Sequence, residues 1–209
     1  MKAELAEWSL VVVGKWNIAI LSPEWLAKEV FKQESITIMY PIMGDIFPVF
    51  EANSMRVVAR PDRIIFTPLK NDADTLMRIE DAAINALHIL PHTPVSAFGE
   101  NFHFIVDPPE DSVAAALNIR DSELVDAEGR VGEVAVRRSI ELDAHRLNIT
   151  VARVQQKQKI ELNYHYDVPN ATAAADSLSG TYAQNLKHGL GLLHRVYNLE
   201  LAQETEDKP

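Results

Sequence analysis

Two tetrapeptides, Asn101-Phe102-His103-Phe104 and Asn163-Tyr164-His165-Tyr166, repeat one pattern of an amide, a ring, an imidazole and a ring. Imidazole changes charge near neutral pH and is the commonest metal ligand. An amide both donates and accepts hydrogen bonds. On a strand, alternate side chains point to opposite faces. Asn101 and His103 then share one face, as do Asn163, His165 and Asp167, with the four rings on the other. If the two strands are neighbours, that face carries one polar patch. His103, His165 and Asp167 have the donor chemistry for zinc or iron(II), and a histidine beside a polar ligand can act as general base. Any half-buried strand with its rings turned to the core shows the same alternation, and this plainer reading is preferred.

The remaining motif chemistry is thin. The chain lacks a G-x-x-x-x-G-K-[ST] phosphate loop, a G-x-G-x-x-G turn, a G-x-S-x-G elbow and an H-E-x-x-H pair. Its eight glycines are scattered. There is no cysteine, which removes disulfides, thiolate nucleophiles and iron–sulfur ligation. No cofactor is implied. His188 and His194 are six apart on a helical stretch, so they point about 120° away from each other and form no ligand pair.

Charge narrows the partners. The formal net charge is −10 over 209 residues, a field that opposes nucleic acid and anionic membranes. Arg153, Lys157 and Lys159 alternate along a hairpin, but no aromatic residue interleaves them and Glu161 follows on the same face. Cations placed so suit a solvated hairpin that resists edge-to-edge association. Glu4 and Glu7 stand where a secretory leader would be basic, and no run reaches the ~20 apolar residues of a membrane span. The expectation is a soluble, cytoplasmic protein.

The elements that must position these residues follow from period and punctuation. Trp8–Leu21 reads as one strand or a bent pair. Ser22-Pro23-Glu24 opens a short helix, with a hydroxyl cap, proline at the first turn and an acid beside it. Ile36–Ile42 is a strand, and Phe47–Ala59 pairs with Asp62–Pro68 round Arg60-Pro61-Asp62. A helix over 72–90 buries Leu76, Ile79, Ala83, Ala86 and Leu90 at three- and four-residue spacing. Val95–Val106 is a strand, Asp111–Leu117 a short helix, and Arg120–Val131 a loop. Glu133–Leu142, Leu147–Val154 and Lys159–Val168 are successive strands. A last helix, capped by Thr172, runs over 172–199 and places Leu186 and Leu190 in the core. Residues 1–202 make one domain, and 203–209 are a polar tail.

Val57-Val58-Ala59-Arg60 and Thr150-Val151-Ala152-Arg153 each precede a hairpin turn, a strand and a long helix. This echo suggests two β-β-β-α units covering one face of a sheet. Hairpin Arg56–Phe66, helix Leu76–Leu90 and strand Val95–Val106 also resemble a segment of a sporadically distributed bacterial family of uncharacterised proteins. The resemblance spans about a quarter of the chain and carries no catalytic residues across.

The sequence thus predicts an α+β fold, with a mainly antiparallel sheet and two long helices. Its predicted role is a non-catalytic binding or protein-interaction module of bacterial type, paired with itself or a protein partner. The alternative is a small enzyme or ligand-binding protein using Asn101, His103, Asn163, His165 and Asp167.

Overall fold

Among the described residues, ten strands form one antiparallel sheet. A computed structural model describes residues 1–41, 46–117, 129 and 132–202. The predicted 203–209 tail therefore lies outside the described residues, as does the predicted loop at 120–131 except for Gly129.

β1 (Lys2–Ala3) precedes the apolar run Trp8–Leu21, which yields β2 (Ser9–Gly14). The strand stops at Gly14 rather than at Leu21. A Cβ there would lie 2.9 Å from the carbonyl oxygen of Pro94, so only glycine allows this close backbone approach. Ser22 then caps α1 (Pro23–Trp25) by accepting from the Trp25 amide. The helix continues as a π-helical turn, Leu26–Phe31, and closes on Lys32 in the left-handed region.

Of the predicted strand Ile36–Ile42, β3 covers Thr37–Met39, and its Ile42 end lies outside the described residues. The predicted strand Phe47–Ala59 is in fact a hairpin, β4 (Val49–Ala52) and β5 (Met55–Ala59). Asn53 and Ser54 both have positive φ, the backbone of the two-residue turn whose twist matches paired strands. β6 (Arg63–Pro68) follows, then α2 (Ala73–Ile89), whose cap is Asp72 accepting from the Thr75 amide at 2.7 Å. That hydrogen bond holds the Asp72 carboxyl below its usual range.

β7 (Val95–Val106) is the long central strand, followed by α3 (Asp111–Ala116). β8 (Glu133–Glu141), β9 (Arg146–Val154) and β10 (Lys157–Asp167) form a meander. The last predicted helix is broken in two. α4 (Ala171–Leu178) is capped by Asn170 rather than Thr172, and α5 spans Thr181–Tyr197. Gly180, at φ +79°, makes the corner between them, a conformation that glycine adopts without steric cost.

The strand order is β3-β4-β5-β6-β2-β7-β10-β9-β8, with β1 also on β7. α2 packs on β2 and β6, α4 and α5 pack on β7, and α2 packs on both α4 and α5, so these helices lie on one face. Their burial with Trp8, Phe66, Phe98, Phe102 and Tyr164 makes the core. On α5, Leu186 and Leu193 are buried, whereas Leu190 is only half-buried and sits with His194 and Leu199 beside a shallow hollow. The predicted stripe is right in period but assigns Leu190 too much burial, because Leu190 lies at the margin of the face formed by Tyr182, Leu186, Gly189 and Leu193, all of which are buried. Gly189 marks the closest approach: a Cβ there would sit 2.5 Å from Leu162 Cδ1.

Candidate functional site

β7 and β10 are hydrogen-bonded neighbours, with Asn163 opposite Asn101 and Tyr164 opposite Glu100. Phe102, Phe104, Tyr164 and Tyr166 turn toward the helices and are buried. Asn101, His103, Asn163 and His165 lie half-buried on the helix-free face, and Asp167 is exposed there.

This face is organised in rows that cross the strands. The Asn101 amide nitrogen donates to Ser9 Oγ at 3.0 Å, Asn163 donates to Asn101 Oδ1 at 2.7 Å, and Asn148 donates to Asn163 Oδ1 at 2.9 Å. This side-chain row crosses four strands, β2, β7, β10 and β9, in addition to their backbone pairing. Sequence reasoning found the two central asparagines and missed Ser9 and Asn148. Both missing members could be reached only through the strand register.

The histidines are separate. His103 stands opposite Glu161 and His165 opposite Gly99, four residues or about 13 Å apart along the strand. His103 Nδ1 lies 3.7 Å from Glu161, while His165 Nε2 lies 3.1 Å from Asp167. Arg146 reaches the same Asp167 at 3.5 Å and Glu141 at 3.9 Å. So His165 and Asp167 meet, and His103 does not join them. Among the described residues, no three His, Asp or Glu side chains are grouped to hold a metal ion.

Beside the polar half of the face runs an aliphatic row. Val49 pairs with Val58, Val58 with Ile65, Ile65 with Val11, and Val11 with Gly99. All four aliphatic residues are half-buried and Val13 next to them is 36% exposed. The charges at the margins are matched: Arg56 binds Glu51 at 2.9 Å and Lys159 meets Glu4 at 3.4 Å.

The opposite side of the sheet holds a second polar group that the sequence reading did not find. Glu100 is fully buried between β7 and α5. Its Oε1 is 2.6 Å from Thr181 Oγ1, and its Oε2 accepts from Asn185 at 2.7 Å. Asn185 also donates to the Tyr166 hydroxyl at 2.7 Å. Glu80, reaching across from α2, accepts from the Gly180 amide at the start of α5. Burial pushes the Glu100 carboxyl up to about 7 and raises Glu80 against the lowering effect of the amides it receives. Burial likewise pushes the Tyr166 phenol up to about 12.

The class this structure defines is an α+β protein with a helix-covered antiparallel sheet. Comparison with protein-family models finds no match, and comparison with curated proteins finds none either.

Proposed function

We propose that the chain is a non-catalytic protein-interaction module whose helix-free sheet face takes a second copy of the same chain. The observation that carries this reading is the half-exposed row Val49, Val58, Ile65 and Val11, lying flat on a face that no described helix covers. Antiparallel sheets bury one face on their own helices and can close the other against a partner sheet.

The polar half of the face supports the same occupant. Its asparagines satisfy one another, and Arg56–Glu51, Lys159–Glu4 and Arg146–Asp167 are ion-paired, so covering them leaves fewer groups stranded than covering single charges would. Self-matched charge also matters for a chain of net charge −10. Two copies repel through their acidic surfaces, and a face whose anions are already paired is where that repulsion is weakest. Homodimers built on a two-fold axis use one patch twice, which such a face permits.

Two architectural readings are proposed with it. One is duplication: β4-β5-β6-α2 and β8-β9-β10-α4-α5 run in the same order and stand on opposite sides of the β2–β7 pair, which supports two related units. The other is the bacterial family resemblance, whose segments are β5–β6, α2 and β7.

The chain's lack of cysteine gives a clean test. An Ile65→Cys variant carries one thiol on the aliphatic row, and Lys187→Cys carries one on the exposed side of α5. Thiol-labelling rate at position 65 is expected to fall as protein concentration rises, while the rate at 187 stays constant. Equal, concentration-independent rates at both positions would contradict self-association through this face.

A further inference from the structure

We propose that the Glu100 carboxyl holds a proton in the folded protein, making the seam between β7 and α5 a buried proton-binding site that latches the α4–α5 corner. The argument is a count of hydrogens. Thr181 has one hydroxyl hydrogen but two acceptors in range, Glu100 Oε1 at 2.6 Å and the Leu178 carbonyl at 2.8 Å. That carbonyl closes α4, and helix-terminal carbonyls need a partner from outside the helix. When Thr181 donates to Leu178, the 2.6 Å contact requires the hydrogen to come from Glu100. The bonds then run in one direction, from Glu100 to Thr181 to Leu178.

The other Glu100 oxygen fits this assignment. Asn185 commits both amide hydrogens, one to Glu100 Oε2 and one to the Tyr166 hydroxyl. Its donation to Oε2 is compatible with the carbonyl oxygen of a neutral acid. Among the described residues, no cation acts on Glu100. The titratable groups facing it are Glu80 from α2, Tyr164 and Tyr166 from β10, and Tyr182 from α5. Glu80 adds repulsion, and the phenols carry no positive charge. Among the described residues, no Lys or Arg forms an ion pair with Glu100.

Loss of the proton makes Thr181 choose between its two acceptors. Either the Leu178 carbonyl or a buried carboxylate oxygen is left without a hydrogen, and the cost falls on the corner at Gly180. Burial independently raises the carboxyl to about 7. A raised acid binds its proton more tightly folded than unfolded, so its contribution is full below the unfolded value near 4.5 and is lost as pH rises to about 7.

The test uses Glu100→Gln, whose amide reproduces the proposed pattern: NH2 donates to Thr181 and the carbonyl accepts from Asn185. Urea unfolding is followed from pH 5 to pH 8. The wild-type folding constant is expected to fall by roughly 10²-fold over that window. The variant should show a much shallower slope and exceed the wild type in stability at pH 8. Glu80→Gln and His145→Gln variants account for the slope that remains, the histidine contributing with the opposite sign because burial lowers it. A Glu100→Gln protein with the wild-type slope, or one that is less stable at every pH, overturns the proposal. Carboxyl carbon NMR of the wild-type protein gives a readout that needs no variant. The Glu100 resonance should titrate near neutrality, and a signal already ionised at pH 5 overturns the proposal outright.

Discussion

Phe102→Ala is expected to cost about 3–5 kcal/mol of folding stability, whereas His103→Ala beside it should cost less than about 1 kcal/mol. Phe102 is fully buried. Its ring meets Trp8 edge-on at 5.3 Å and stacks on Tyr182 at 5.1 Å. Removing it leaves a cavity at the centre of the sheet–helix interface and ends these contacts together with the edge-on approach of Tyr164 at 6.2 Å. His103 points the other way, half-exposed, with only the loose 3.7 Å approach of Glu161. Urea denaturation of the two variants compares adjacent residues on one strand, so strand propensity and position are nearly constant. Equal losses would mean that the strand's phase is wrong. His165→Ala should behave like His103→Ala, since its Asp167 partner is exposed.

Glu80→Ala should be the second large loss, about 2–4 kcal/mol. α5 begins at Gly180, which has no side chain with which to cap its own helix. The cap comes from α2 instead: the Glu80 carboxylate receives the Gly180 amide, and the Thr181 and Tyr182 amides also act on it. Losing a helix cap costs about 0.5–2 kcal/mol, and each buried donor left unpaired adds about 1–3. Glu80→Gln keeps an acceptor at the same place and should lose less than half as much. A urea midpoint unchanged in Glu80→Ala would show that α5 does not depend on this bond.

The difference between those residues and the sequence reading is physical. Period-two alternation is a local signal, so the phase of β7 and β10 could be read directly from Phe102, Phe104, Tyr164 and Tyr166. Glu100 shares the parity of Phe98, Phe102 and Phe104, which places a carboxyl on the buried side. That signal was present, but burying a carboxyl is costly enough that a glutamate among polar neighbours reads as solvent-facing. Asn185 was hidden in the same way between Tyr182 and Leu186 on the α5 stripe. The Asn53-Ser54 turn lacks the glycine that usually announces a tight hairpin, so β4 and β5 were read as one strand. Gly180 announced its corner, but the apolar stripe continues on both sides of it and concealed the break. Ser9 and Asn148 belong to the asparagine row through register alone, and register is a property of the whole sheet.

Sedimentation equilibrium of the full chain, over a wide concentration range at moderate salt, tests the interaction reading most directly. The wild-type mass should rise from the 23.4 kDa monomer toward twice that value. An Ile65→Asp variant, which puts an unpaired charge in the aliphatic row, should remain monomeric with an unchanged urea midpoint. A wild-type protein that stays at the monomer mass throughout, or an Ile65→Asp variant that still dimerises, would contradict the assignment of this face.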